Sequence, residues 1–463
     1  MKLRYYQETI NRKIYEFMRG PDQRAQIYSP TGSGKTVSFI HALQTEISET
    51  ERPLKVAILA PRIALIQDQL SRYHQVFDQN VIFTSFHSRE HVVRSDVLEY
   101  STLEAEQLLN TQSNCIANGQ THVTCSTYHS FWKLIDQHFD IIICDEAHNL
   151  TTDRFMDSLQ QVQADKILFF TATPINNELE DELGMNNVEL FGPIICEVLP
   201  RELIQKGYIV APLIHRLEVT YSEVLEDVDP VEVAARSFLF QKEEMDSTGM
   251  PYTKMLVSCK GLGQIEYVNN HLADLWRHLG KRVNVYSSSA DMAKKNNIVW
   301  QSRKAMLDDF NAHEGDAIIM HYDTLSEGID ISGITGVLLM RDMQKSKMLQ
   351  TIGRAARPFT QDLDENYEPV EFSLRRKQRC VVSVMEYNGV PVLGNAMKFA
   401  RAFIEGGYDD LSSYLSGVNT PLGTVKNQLE LPGDADQSFW AAVQDIKRHR
   451  ELTNITHVLF QGL

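Results

Sequence analysis

The alternation of short apolar runs with longer helical patterns is the feature that most restricts the fold of this 463-residue chain. A first set of runs, bounded by Gly, Pro or polar residues, comprises Ala25–Ser29, Val56–Ala60, His122–Cys125, Asp140–Cys144 and Lys166–Phe170. A second set comprises Met255–Cys259, Arg282–Tyr286, Ala317–Met320, Val337–Met340 and Cys380–Val384. Nearly continuous apolar strands are typical of parallel sheets that helices cover on both faces. The pattern therefore predicts an α/β chain with two tandem doubly wound sheets.

The domain boundary is predicted in the stretch that shows neither a helical nor a strand period of apolar residues. Glycine and proline interrupt the pattern repeatedly between Gly192 and Leu217. We therefore expect a first domain over 1–200, with a polar insertion at about 85–120, and a second domain over 201–395. Helical patterns after residue 395 predict a small helical C-terminal tail over 396–463.

Composition restricts the class of protein. With 43% hydrophobic and 23% charged residues, each domain can bury a core. The sequence contains no apolar run of about 18 residues and no apolar signal-peptide core at its start, which predicts no membrane partner. Six cysteines without paired spacing predict reduced thiols, without disulfides or a structural metal. We expect an intracellular protein, cytoplasmic in a prokaryotic or phage-infected cell, or nuclear in a eukaryote.

The net charge of -16 argues against a protein that binds nucleic acid through an overall positive electrostatic field. Binding to a strand would then depend on local contacts from backbone amides, hydroxyls and a few arginines. Two small basic clusters occur, at Arg375–Arg379 and Lys447–Arg450. For both, a solvated surface is favoured over a groove-binding site.

A phosphate-binding loop is predicted at Ser29–Thr36, directly after an apolar run and before a helical pattern. Glycines in such a loop turn backbone N–H groups toward an anion, and the following helix adds the positive end of its dipole. Lys35 would reach the β- and γ-phosphates of ATP, and the Thr36 hydroxyl would bind Mg²⁺. The general pattern has Gly at the first position, where this chain has Ser29.

Two adjacent carboxylates, Asp145 and Glu146, follow the apolar strand that begins at Ile141. Ligands of open α/β sheets bind beyond this end of the strands. Asp145 would hold Mg²⁺ through its water shell, and Glu146 would orient and deprotonate the attacking water. Acidic residues at a helix start would give the same letters, but the nearby phosphate loop favours the catalytic interpretation.

Together, the phosphate loop and Asp145-Glu146-Ala147-His148 resemble the DEAH-type helicases of superfamily 2, whose other motifs appear in order across residues 3–358. The resemblance implies two tandem RecA-like domains, ATP and Mg²⁺ as cofactors, and nucleic acid as the partner. It places nucleotide contacts at Arg4, Gln7, Thr31, Gly32, Ser33, Gly34, Lys35 and Thr36. It places strand contacts at Pro61, Arg62 and Thr127, and coupling residues at His148, Thr171 and Thr173.

In the second domain the resemblance implies strand contacts at Ser258, Lys260 and Thr324, and nucleotide contacts at Gly328 and Asp330. Gln350, Arg354 and Arg357 match the last motif, Q-x-x-G-R-x-x-R. Because the two arginines are three residues apart, a helix would project both from one face. Facing the phosphates, they would act as arginine fingers; a surface ion-pair face is the alternative.

The details of the motifs favour DNA as the substrate. Thr171-Ala172-Thr173 and the Gly353–Pro358 segment look more similar to repair, branch-migration and restriction-type DNA motors than to DEAD-box RNA helicases. The closest resemblance is to phage branch-migration helicases of the UvsW type and to XPB-like motor cores. This resemblance implies 3′-to-5′ movement on single-stranded, forked or four-way DNA. Two alternatives stay open: an RNA helicase, and an ATP-binding scaffold on nucleic acid that does not unwind it.

Overall fold

The computed structural model describes residues 2–63, 65–66, 69–70, 76–77, 80–87, 98–100, 105–177, 182–220, 229–289, 293–322, 331–341, 343–388, 399 and 402–408. The chain divides into two compact units, Met1–Val198 and Leu199–Leu463. Each contains an eight-stranded sheet. These two parallel-sheet α/β units confirm the predicted fold class of two RecA-like domains.

The first sheet has the strand order β4-β3-β5-β2-β6-β7-β1-β8, and every pairing in it is parallel. Its strands are β1 Arg24–Tyr28, β2 Lys55–Ala60, β3 Val81–Phe86, β4 Leu98–Tyr100, β5 Thr121–Thr127, β6 His138–Asp145, β7 Gln163–Thr171 and β8 Ile194–Glu197. The helices with defined bounds in the described part of this unit are Tyr5–Arg19, Lys35–Glu49, Ala105–Ala117, Tyr128–Phe131, Asp153–Gln161 and Val188–Phe191. The central strands β2, β5 and β6 are buried almost throughout, which explains their continuous apolar sequences.

The second sheet has the order β13-β12-β11-β14-β10-β15-β16-β9. Its strands are β9 Ala211–Thr220, β10 Lys254–Ser258, β11 Asn284–Ser288, β12 Ala293–Lys295, β13 Ile298–Val299, β14 Ala317–His321, β15 Gly336–Leu339 and β16 Arg379–Asn388. The two pairings that involve β12 are antiparallel, and the others are parallel. The helices are Pro200–Lys206, Pro230–Ser247, Leu262–His278, Arg303–Ala312 and Lys345–Ala355.

The predicted insertion at 85–120 and the predicted C-terminal tail at 396–463 are only partly described. Within 85–120, the helix Ala105–Ala117 contributes Leu108 to the core of the first unit. Of the predicted tail over 396–463, the described residues lie between 399 and 408, and Phe399, Phe403 and Tyr408 join a core cluster of the second unit. The basic cluster Lys447–Arg450 lies outside the described residues. Among the described helices, none is long and apolar enough to cross a membrane.

Candidate ATP site and motor elements

The phosphate loop lies where the sequence predicted it, between β1 and the helix Lys35–Glu49. Gly32 and Gly34 have φ angles of 86° and 83°, a left-handed conformation that glycine adopts without strain. The Ser29 hydroxyl lies 2.7 Å from that of Ser33, and both side chains are buried. The general pattern has a glycine at the first position of the loop. Here Ser29 occupies that position and contacts Ser33, the fifth residue of the loop.

The N-terminal helix Tyr5–Arg19 is attached to this loop. The Gln7 amide donates to the Ser33 carbonyl at 3.1 Å, and the Tyr6 hydroxyl donates to the same oxygen at 2.7 Å. Gln7 also accepts a bond from the Arg4 backbone at 3.0 Å. A Cβ atom at Gly34 would lie 2.6 Å from the Gln7 amide nitrogen and would displace it, and the positive φ there is strained for any other residue. Of the predicted nucleotide contacts, Gln7 therefore binds the loop that would hold the phosphates, and Arg4 is bonded to Gln7.

The two candidate acidic residues lie at the end of β6. Glu146 has a φ of 53°, so the backbone bends sharply after the buried Asp145. Glu146 Oε1 lies 3.7 Å from Lys35 Nζ, which brings the loop lysine beside the predicted base. Positive φ at a non-glycine residue is strained and is maintained only by its surroundings. The strain here lies at the residue predicted to act on water.

Burial raises the pKa of the Asp145 carboxyl well above its usual value, the negative charge of Glu146 adds to this, and Lys35 opposes it. An isolated buried carboxylate is costly without a compensating cation. The protein therefore keeps at this strand end a group whose charged form would be favoured by a bound cation.

Three polar side chains link the acidic site to the end of β7. His148 Nδ1 lies 3.0 Å from the Thr171 hydroxyl and 3.4 Å from that of Thr173. The same ring nitrogen lies 3.7 Å from Glu146 Oε2. Burial lowers the pKa of His148, with Glu146 opposing that shift. The three predicted coupling residues therefore form one buried cluster beside Glu146.

The residues present fit ATP and Mg²⁺. Within the described part of the chain, Glu146 Oε2 is buried without a hydrogen-bond partner, as expected of an atom that would accept a hydrogen bond from the attacking water. The loop offers Lys35 and a helix N-terminus to phosphates; Thr31 lies in the loop, and Thr36 lies in the first turn of the helix. Thr36 and Asp145 would hold Mg²⁺, which would neutralise phosphate charge when bound.

In the second unit, the last motif lies on the helix Lys345–Ala355, but this helix ends before Arg357. The expectation that a single helical face projects both arginines is therefore wrong for Arg357, because Ala356 ends the helix and Pro358 follows. Arg354 is buried in the last turn. Gln350 is also buried, and neither atom of its amide has a hydrogen-bond partner within the described residues.

Lys377 supports the end of this helix, a role that the sequence analysis missed. Its ammonium group donates to the Arg357 carbonyl and to the Ile334 carbonyl, both at 2.6 Å. Lys377 is 1% exposed, so the interpretation of Arg375–Arg379 as a solvated surface is wrong at this position. The Val210 N–H bonds the neighbouring Ala356 carbonyl at 2.7 Å. The Val210 contact satisfies a carbonyl that a helix end leaves without a partner, and the Lys377 contact holds the residue that follows the cap.

Replacing Lys377 with methionine should change how stability depends on pH. Burial lowers the pKa of Lys377 to about 8, whereas the unfolded chain keeps the ordinary value near about 10.4. Between these values the unfolded state binds more protons, so the wild-type free energy of unfolding should rise with pH relative to Lys377→Met, by roughly 3 kcal/mol at most. Urea unfolding from pH 7.5 to 10 measures this. Lys260→Met, at an exposed lysine, serves as control; a pH-independent difference between wild type and Lys377→Met would contradict the expectation.

The predicted strand contacts lie near strand ends of the two sheets. Pro61 and Arg62 follow β2, and Lys260 is exposed just after β10. Thr127 ends β5, but its hydroxyl is buried and donates to Ser130 at 3.1 Å. The Ser258 hydroxyl is likewise buried, 3.0 Å from His321 Nε2. Direct contact through these two hydroxyls would require those bonds to be exchanged. Thr324, Gly328 and Asp330 lie outside the described residues.

Two family models match separate parts of the chain. Residues 1–176 match the res subunit of type III restriction enzymes, and residues 253–358 match the helicase conserved C-terminal domain. The first match lies in the first unit of the fold and the second in the second unit, so each RecA-like unit resembles a different helicase-type region. A sequence search found no match among curated proteins.

Solved structures share the fold at low sequence identity. An ATP-dependent type ISP restriction-modification enzyme, LlaBIII bound to DNA, is 16% identical with a TM-score of 0.70; the alignment covers 96% of this chain and 33% of that one. A fragment assigned to the HsdR subunit of a type I restriction enzyme from Vibrio vulnificus YJ016 is 21% identical over 82% of this chain and 64% of that one, with a TM-score of 0.51.

A third structure, Mss116p bound to ssRNA and AMP-PNP, is 13% identical over 86% of this chain and 72% of that one, with a TM-score of 0.52. The present chain thus spans about a third of the length of LlaBIII. The similar structures include proteins bound to DNA and to RNA. A closer relation to UvsW-type or XPB-like motors remains a prediction from the motifs.

Proposed function

We propose that this chain is a DNA motor that hydrolyses ATP to move along DNA. The observation that carries the proposal is the association of the phosphate loop with the acidic pair, in which Lys35 Nζ lies 3.7 Å from Glu146 Oε1. The match of residues 1–176 to a restriction-enzyme subunit supports DNA rather than RNA as the track. Forked and four-way junctions, and movement from 3′ to 5′, are the finer form of the proposal, supported by the motifs alone.

The mechanism follows from the roles of the chain's own groups. The phosphate loop binds and orients the nucleotide, which Lys35 contacts at its β- and γ-phosphates. Glu146 takes the proton of the attacking water, and the motif resemblance gives Arg354 and Arg357 the role of opposing the negative charge that develops at the γ-phosphate. Because these contacts exist only while the triphosphate is bound, hydrolysis changes the favoured conformation and drives stepwise movement.

An ATPase assay with different nucleic acids tests the proposal. We expect single-stranded DNA, duplex, fork or four-way junction of equal nucleotide content to stimulate turnover more than RNA does. A Lys35→Ala variant controls for contaminating ATPases. Stimulation by RNA but not by DNA would favour the alternative, an RNA helicase, which the likeness to an RNA-bound structure supports. ATP binding without turnover on any nucleic acid would favour a scaffold.

Binding to DNA should depend only moderately on salt concentration. With a net charge of -16, few phosphates can be neutralised by lysine and arginine, so few counterions are released. The logarithm of affinity against the logarithm of salt concentration should therefore have a slope much shallower than about -10. Replacing exposed Lys260 with glutamine should reduce the slope by about 1 if it contacts a phosphate. A wild-type slope as steep as about -10 would instead indicate a concentrated basic surface.

A further inference from the structure

The motifs associate two segments of the first unit with strand contact, and each segment is followed by a residue that donates a hydrogen bond to Asp145. One begins at Pro61 and Arg62 and continues into helical residues that include Gln69. The other is Thr127 at the end of β5, followed directly by Tyr128. Neither Gln69 nor Tyr128 belongs to the residues that the motifs assign to the ATP site. Their contacts connect the two segments to the same aspartate.

Gln69 contacts the Asp145 side chain. Its amide nitrogen donates to Asp145 Oδ2 at 2.5 Å, and the glutamine is 2% exposed. The other oxygen, Oδ1, accepts from the Glu146 backbone at 3.0 Å. The carboxylate plane is therefore fixed at both oxygens. Groups that orient a metal-binding carboxylate in this way tune the affinity of the metal, typically by 10- to 100-fold.

Tyr128 contacts the backbone of the same residue. Its hydroxyl donates to the Asp145 carbonyl at 2.7 Å, and its side chain is 2% exposed. The bonded carbonyl precedes the bend at Glu146, where φ is 53°. A shift of Tyr128 would therefore alter the direction in which Glu146 points.

We propose that Gln69 and Tyr128 are positioning residues that carry strand contact to the ATP site, Gln69 through the metal-binding carboxylate and Tyr128 through the bend that aims Glu146. This inference rests on the proposed function, because it assumes that the segments at Pro61–Arg62 and Thr127 contact a strand. Both links are short: Tyr128 is adjacent to Thr127, and Gln69 is seven residues from Arg62. Each is a buried, directional contact, so a displacement of Gln69 or Tyr128 acts directly on Asp145.

The Gln69 link can be tested without nucleic acid. Gln69→Met keeps the length of the side chain and removes its donor. Binding of a fluorescent ATP analogue, titrated with Mg²⁺, should need about 10- to 100-fold more Mg²⁺ for half-saturation. Gln112→Met is the matched control, because Gln112 is also a buried amide of the first unit and donates to the Thr124 hydroxyl at 2.8 Å, away from Asp145. Unchanged Mg²⁺ dependence in folded Gln69→Met would overturn the inference.

The Tyr128 link is tested by measuring how strongly DNA stimulates ATP turnover. Tyr128→Phe removes one oxygen and should lower the ratio of DNA-stimulated to unstimulated turnover by about 5-fold or more, with the same Mg²⁺ half-saturation as wild type. Tyr28→Phe is the control, because the Tyr28 hydroxyl also donates within the core, to Gln26 Oε1 at 2.7 Å. An unchanged stimulation ratio in Tyr128→Phe would contradict the role given to Tyr128.

The two outcomes separate this inference from the proposed function. If no nucleic acid stimulates the wild type, the proposed function fails, while the Mg²⁺ titration of Gln69→Met still tests the contact with Asp145. If wild type is stimulated and both variants behave as their controls do, the proposed function stands and the positioning role is overturned. Thermal unfolding of each variant and its control identifies a loss that comes from misfolding, and in that case Gln69→Leu and Tyr128→Leu repeat the test.

Discussion

Glu146→Gln is expected to bind ATP with near-normal affinity and to hydrolyse it roughly 10²- to 10⁴-fold more slowly, the usual contribution of a positioned general base. The glutamine amide has the same shape as the carboxylate but cannot accept the proton of the attacking water. Glu146 Oε2 is buried and has no hydrogen-bond partner within the described residues, so this oxygen is available for that proton. The substitution also removes the ion pair with Lys35, which leaves the lysine available for phosphate.

Single-turnover hydrolysis, combined with equilibrium binding of a fluorescent ATP analogue, measures both effects. Glu106→Gln is a suitable control, because Glu106 is exposed on the helix Ala105–Ala117 of the same unit. Near-normal turnover in Glu146→Gln would show that the base has been assigned to the wrong residue. Loss of ATP binding would indicate instead that Glu146 supports the shape of the loop.

The predictable part of the fold was a set of ten strands inside the two sheets, whereas β3 and β12, which also lie inside, were missed. Each of the ten predicted runs overlaps a strand, because burial on both faces leaves no polar alternation in the sequence. Two of the missed strands, β8 and β9, lie at sheet edges, and each pairs with only one neighbour. Pro212 is tolerated in β9 because an edge strand does not need every N–H for pairing. The same proline had made this stretch look irregular.

The short hairpin of β12 and β13 was missed for another reason. Asn296 and Asn297 at its turn have positive φ angles, which asparagine tolerates. The strands beside the turn contain lysines and exposed Ile298 and Val299, so no core-facing period marks them. A hairpin that buries little leaves little trace in an apolar pattern.

The residues of the candidate site likewise divide into those that could be predicted from the sequence and those that could not. Phosphate loop and acidic pair could be predicted because their residues are consecutive and their chemistry fixes their spacing. Gln69 and Tyr128 could not, since the first is 76 residues from the aspartate that it contacts and the second is 17 residues away. Lys377 was hidden within a basic run that resembles a surface. Contacts of this kind depend on tertiary packing, which periodicity does not encode.

Arg357→Ala is expected to reduce turnover roughly 10³-fold or more, the usual contribution of an arginine finger. Affinity for ATP should change far less, because the contact strengthens as charge develops in the transition state. The backbone at this position does not depend on the arginine side chain, since Lys377 holds the Arg357 carbonyl. The substitution should therefore leave the end of the helix Lys345–Ala355 in place, and the loss can be attributed to the guanidinium group.

Arg357→Lys separates charge from geometry. A lysine keeps the positive charge but lacks the planar donors of guanidinium, so turnover should recover only in part. Arg376→Ala, at an exposed arginine of the same unit, is the control for removing a positive charge. The measurement is kcat and ATP affinity for the three variants with saturating DNA. Equal losses of affinity and turnover in Arg357→Ala would mean that the arginine contributes to binding of the ground state, and the finger role would then belong to Arg354.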